Sequence, residues 1–203
     1  YHLTWTDQYL ITVASALHDI GKIGIDEKIL NKPGKLTPEE FELMKMHTMI
    51  GASMLKRVEI YKEERLVQIA YEICRWHHER YDGSGYPDGL KGEEIPIAAQ
   101  VVSVADVYDA MTSNRCYRKG ICPFKVIGIL EQDKDAYEPG VLYLFMERTI
   151  EAYVNTEVLL SNGEQGKVVL LNKSLLSRPV VMTDKGTIYD LSKDFRMSIE
   201  ALI

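Results

Sequence analysis

Four of the chain's five histidines fall on or beside apolar helical stripes, and that placement constrains the fold more than any other feature. An imidazole on a buried face needs a partner, because an uncompensated buried polar group costs about 2–7 kcal/mol. Leu10, Val13, Ala14, Leu17 and His18 follow the i, i+3, i+4 rhythm of one helical face. Thr37-Pro38-Glu39-Glu40 predicts a helix start, with Pro at the first helical position and a capping box between Thr37 and Glu40. The stripe behind it is Phe41, Met44, His47, Gly51 and Met54. A third stripe runs Leu66, Ile69, Ala70, Ile73, His77, with His78 next to it. A fourth helix opens near Pro96 and carries Ala98, Val101, Val102, Ala105, Asp106 and Asp109 along one side. Two further helices are expected over 123–132 and 141–153.

A lone histidine on such a face is more often a hydrogen-bonded core residue than a ligand. Here two are tandem, one is tandem with Asp19, and Asp106 adds a second carboxylate. Helices of this length in a bundle bring their ends to one point. Imidazoles with carboxylates suit borderline or hard divalent ions such as Fe, Mn, Zn or Ni. His18 with Asp19, and His77 with His78, are expected at helix C-termini, whose partial negative charge favours a cation.

Residues 154–203 change character. Strand, turn and strand are expected over 156–171, around Ser161-Asn162-Gly163-Glu164, because Asn and Gly both tolerate positive φ. A second hairpin is expected around Asp184-Lys185-Gly186. The expected architecture is therefore mainly α: a helical domain over 1–153 and a small C-terminal β module over 154–203. Asp184, Asp190 and Asp194 read as turn and loop residues, and the module as a packing or docking element.

The formal charge of −6 argues against DNA binding through a broad basic surface. An anionic substrate then needs bound metal and a few aimed cations. No apolar run is long enough to span a bilayer, and three cysteines without CxxC spacing read as reduced thiols, so the cytoplasm is expected.

The segments His18-Asp19-Ile20-Gly21-Lys22, His77-His78-Glu79-Arg80-Tyr81-Asp82-Gly83-Ser84-Gly85-Tyr86-Pro87 and Ala105-Asp106-Val107-Tyr108-Asp109-Ala110-Met111-Thr112-Ser113, followed by Arg115 and Tyr117-Arg118, resemble the HD-GYP family of metal-dependent phosphohydrolases. The linking stretch from Leu30 to Thr37 and the downstream His47 belong to the same pattern, which covers roughly residues 6 to 150. The resemblance implies an HD-domain helical bundle and a centre of two or three divalent transition-metal ions, Fe or Mn first, with Zn or Ni as alternatives. It also implies hydrolysis of cyclic di-GMP or a related cyclic dinucleotide in bacterial second-messenger signalling. An upstream receiver or sensor domain, diguanylate cyclase domains and a second copy of the chain are the partners it implies.

Carried over residue by residue, the resemblance makes His18, Asp19, His47, His77, His78 and Asp106 metal ligands, with Asp19 bridging. Asp19 and Lys22 become the catalytic pair. Lys22, Tyr86, Arg115 and Arg118 become the substrate contacts, arginine suiting phosphate through its planar fork. Read without the resemblance, the weaker alternatives are a solvated loop lysine for Lys22 and ordinary surface charge for Arg115 and Arg118. Members of the family usually carry a further histidine upstream, and only seventeen residues precede His18. The expectation is either an N-terminal portion lying outside this chain or one metal position short of a protein ligand. The rival readings are a different nucleotide phosphate as substrate, or a catalytically silent module that binds nucleotide or a cyclase domain.

Overall fold

The computed structural model describes residues 3–58, 64–114 and 119–203. Seven α-helices are followed by five strands among these residues, so the expected mainly α architecture with a small C-terminal β module is borne out. The chain folds as two compact units. One comprises Tyr1–Val104 with Asp135–Glu138, the other Ala105–Lys134 with Pro139–Ile203. Helix gives way to strand between 151 and 157, whereas compactness divides the chain inside the fifth helix.

The first unit holds α1 (Trp5–Ser15), a 3₁₀ turn (Ile20–Gly24), α2 (Glu27–Leu30), α3 (Pro38–Lys56), α4 (Arg65–Trp76) and the start of α5 (Ile97–Thr112). The capping box at Thr37 forms as expected: Glu40 N–H donates to Thr37 Oγ1 at 3.2 Å, and Thr37 N–H to the Glu40 carboxylate at 2.7 Å. A second box that sequence reasoning passed over starts α1, between Thr4 and Asp7. The core gathers Ile11 and Ala14 of α1, Ala70 and Ile73 of α4, and Ala98 and Val102 of α5. On α1 the buried face is thus centred on Ile11 and Ala14, while Val13 and Leu17 are exposed, one step round from the expected stripe. On α3, Phe41 and Met54 are likewise exposed, while His47 and Gly51 are buried.

Small residues let backbones approach where the 3₁₀ turn meets α3. A Cβ on Gly21 would lie 1.9 Å from the His47 carbonyl oxygen, and one on Gly51 would lie 2.3 Å from Cys74 Sγ. Neither position accommodates a side chain, so turn, α3 and α4 are locked in one arrangement.

The second unit contains the end of α5, then α6 (Pro123–Gln132), α7 (Pro139–Glu151) and the strands β1 (Glu157–Leu160), β2 (Gln165–Leu170), β3 (Val180–Thr183), β4 (Ile188–Asp190) and β5 (Ile199–Leu202). All pairings are antiparallel, in the order β4-β3-β2-β1-β5. Both expected hairpins form, but in the first only Gly163 takes positive φ; Asn162 instead accepts the Glu164 N–H. β5 was not anticipated: it pairs with β1 across forty residues of sequence and carries no turn signal of its own. Val158, Leu160, Val168, Val181 and Ile199 point to the buried side. Among the described residues no helix is long and apolar enough to cross a membrane.

Candidate metal centre

α1 ends at Ser15, so His18 and Asp19 occupy the turn after it, and Asp19 caps the 3₁₀ segment. His77 is the C-cap of α4, His78 follows it, and His47 sits mid-way along α3. The glycine contacts at Gly21 and Gly51 bring these elements together. Asp19, His47, His77 and His78 each offer one ligand atom, and all four atoms lie within 4.8 Å of one another.

The tautomers follow from hydrogen bonding. His47 Nδ1 lies 2.7 Å from the Met44 carbonyl oxygen and His77 Nδ1 lies 2.9 Å from that of Ile73. A carbonyl only accepts, so each Nδ1 donates its proton and each Nε2 presents a lone pair. His18 Nδ1 makes the same contact with the Ser15 carbonyl at 2.7 Å. This is how metal-binding imidazoles are oriented in general.

The lone pairs face acceptors. His47 Nε2 is 3.3 Å from Asp19 Oδ1, and His77 Nε2 is 3.9 Å from it. These three atoms are buried and, among the described residues, have no hydrogen-bond partner. Burial, then the charges of neighbouring groups, keeps His77 down at about 4 and His78 at about 2, and burial lowers His47 as well. Neutral imidazoles cannot supply the donor. For Asp19, burial alone would raise the carboxyl, but its contacts with His18 and Lys22 outweigh it, so the group stays anionic. Buried acceptors converging on one point need a cation between them, and N and O donors of this kind fit a divalent metal ion.

Lys22, one turn after Asp19, pairs with its Oδ2 and is about a third exposed. His18 Nε2 lies 3.3 Å from the same oxygen, and the His18 ring is edge-on to His77 at 5.1 Å. Tyr86 lies over His78 with ring centroids 4.8 Å apart and planes 31° apart, and its N–H donates to the His78 carbonyl at 3.2 Å. Phe41 packs edge-on against Tyr86, and Lys45 Nζ stands 5.4 Å from the Tyr86 ring. Asp106 lies half-buried on the part of α5 that belongs to the second unit. Arg115 and Arg118 lie outside the described residues.

Sequence reasoning did not single out the residues that fasten the Tyr86 loop. Asp88 accepts from Arg75 Nε and Nη2, both at 2.8 Å, and from Trp76 Nε1 at 2.7 Å. An arginine and a tryptophan at the end of a helix, ahead of a Gly-rich loop that holds Asp82 and Asp88, were the available signal.

A family model described as an HD domain matches residues 2–141. A cyclic di-GMP phosphodiesterase of Thermotoga maritima is 56% identical over 108 residues, which are 53% of this chain and 28% of that protein. A 3′3′-cGAMP-specific phosphodiesterase of Vibrio cholerae is 38% identical over 148 residues, 72% of this chain and 28% of that protein. The chain therefore spans less than a third of the length of either relative. Among solved structures, an HDG"Y"P protein from Bdellovibrio bacteriovorus superposes with a TM-score of 0.51 at 24% identity, over 68% of this chain and 42% of that one, a likeness of fold. The resemblance read from the sequence is borne out, and with the model matching well over half its residues the chain belongs to the HD domain family.

Proposed function

We propose that this chain is the catalytic domain of a metal-dependent phosphodiesterase that opens a cyclic dinucleotide, cyclic di-GMP first, in bacterial second-messenger signalling. The observation that carries the reading is the set of buried acceptors on Asp19, His47 and His77, which have no donor among the described residues. The relatives named for cyclic di-GMP and for 3′3′-cGAMP support a cyclic dinucleotide as the substrate class. The reading extends the set of residues that would hold the metal to His18 and Asp106, beside Asp19. It takes Fe or Mn as the metal, in two or three copies.

Asp19, His47, His77 and His78 would hold the metal, which would supply an activated water and charge neutralisation at the phosphate. The protein's own contribution is positional and electrostatic. Asp19 stays anionic beside Lys22, and the buried imidazoles stay neutral, so the donors are in their ligating forms at neutral pH. Lys22 Nζ, held by Asp19 at the turn, faces the charge that develops on a non-bridging oxygen or on the departing 3′ oxygen. Tyr86 walls the site over His78. Arg115 and Arg118 take the second phosphate. In this reading the domain works in the cytoplasm with receiver or sensor domains, diguanylate cyclase domains or a second copy of itself as partners.

Purified protein supplied with Mn or Fe(II) is expected to linearise cyclic di-GMP, followed by chromatography of the products. His18→Ala and Asp19→Ala are each expected to lower turnover by at least about a thousandfold with helix content intact by circular dichroism. Wild-type turnover in both variants would refute the roles assigned to them.

A further inference from the structure

Glu79 follows the tandem histidines directly, is only 2% exposed, and is assigned no part in the metal chemistry above. Its carboxylate accepts three backbone N–H groups from one short stretch: Asp88 at 2.7 Å and Gly89 at 3.0 Å on Oε1, and Leu90 at 3.1 Å on Oε2. The start of the same loop lies against the Glu79 backbone, because a Cβ on Gly85 would be 2.5 Å from Glu79 Cα and 2.4 Å from Arg80 N. The loop is thus fastened to Glu79 at both ends, and between the fastenings lie Pro87 and Tyr86, which covers His78. On the outer side Asp88 ties the loop to Arg75 and Trp76.

We propose that Glu79 is a positioning residue, whose carboxylate holds the 85–90 loop so that Tyr86 fixes the plane of the His78 ring and walls the metal centre. An ionised carboxylate suits the task because it accepts on both oxygens, whereas an amide would turn an NH2 group toward one of the converging donors. A carboxylate used only for general stability would have no reason to place all three of its bonds on the segment that carries Tyr86. The catalytic consequence rests on the metal-dependent reading above; the structural part does not.

The test uses the full chain as wild type, Glu79→Gln and Glu79→Asp, the last retaining charge but retracting it by one methylene. In the metal-free protein, hydrogen exchange at the amides of Asp88, Gly89 and Leu90 is expected to accelerate at least about tenfold in both variants, with the α4 amides unchanged. The ring-current shift that Tyr86 imposes on the His78 Cε1 proton is expected to shrink in parallel. The Mn dissociation constant is expected to rise about tenfold, the scale on which groups behind metal ligands act. Wild-type exchange at the three amides in both variants would overturn the proposal, and so would acceleration spread evenly along α4, which marks a purely global role. Should Glu79→Gln not fold, Glu79→Asp carries the same readings. Failure of the wild-type protein to hydrolyse cyclic di-GMP would strike the substrate reading alone, since the exchange, shift and metal readings are independent of it.

Discussion

Beside the sheet, Arg178 donates Nε to the Leu191 carbonyl at 2.6 Å and Nη2 to the carbonyls of Asp194 and Met197, and its guanidinium covers the Phe195 ring. Beside the 3₁₀ turn, His47 and His77 bring lone pairs to an aspartate oxygen that likewise only accepts. Both groups are polar and at least partly withdrawn from water, yet Arg178 Nε and Nη2 find three carbonyls, while among the described residues Asp19 Oδ1, His47 Nε2 and His77 Nε2 find no hydrogen-bond partner. The difference separates polar groups that hold the protein together from those kept for something that is not protein. In the unit of the 3₁₀ turn, among the described residues, four buried acceptors are unmatched, and three of them, Asp19 Oδ1, His47 Nε2 and His77 Nε2, converge on one point while Gln100 Oε1 stands alone. Such convergence is the usual mark of a ligand site that trades stability for function.

That contrast can be broken by substitutions of opposite expected sign. Arg178→Met removes the donor from three carbonyls at once and is expected to lower stability by about 2–3 kcal/mol, measured by urea denaturation, with metal uptake unchanged. His77→Leu, by contrast, removes the orphaned Nε2 and loses only the Nδ1 bond to an Ile73 carbonyl that the His77 backbone N–H still satisfies. In the metal-free protein it is expected to leave stability unchanged or to raise it by about 1 kcal/mol. A large loss in that variant would show that His77 Nε2 is already compensated within the protein.

The same substitution exposes a pH effect. Burial, and then the charge of His18, lowers His77 from 6.5 to about 4 in the folded protein. As pH falls from 6.5 to about 4, the unfolded chain binds a proton that the folded one refuses. The contribution of His77 is therefore full above 6.5, declines through that window and falls no further below it. Melting temperatures of the metal-free wild type are expected to drop across the window, and those of His77→Leu to drop less.

How much of this was legible in the sequence differs between elements. The start of α3 could be read because Thr37, Pro38 and Glu40 act within one turn, and the clustering of Asp19 with His77 and His78 could be anticipated because His18-Asp19 and His77-His78 are short, ordered blocks. Distance in sequence defeated the rest. β5 is defined by pairing with β1, which no local pattern announces. The division of α5 after Val104 falls inside an unbroken helical repeat, so nothing in the periodicity marks it. On α1 the pattern identified a helix but placed its buried face one residue off, since Ile11 and Ala14 are selected by the small Ala70 and by Ile73 across the interface. Glu79 lay within the recognised block, but its bonds go nine to eleven residues ahead, to amides that any sequence could have supplied.

Chelator-stripped protein titrated with Mn, by calorimetry and by thermal unfolding, probes the acceptor cluster most directly. At a free ion concentration a hundred times the dissociation constant, a bound ion is expected to add about 2.7 kcal/mol of stability. Saturable uptake with that stabilisation in the wild type, and neither in Asp19→Ala, is the expected result. Stripped wild-type protein that takes up no divalent ion would contradict the assignment of Asp19, His47, His77 and His78 as a metal centre.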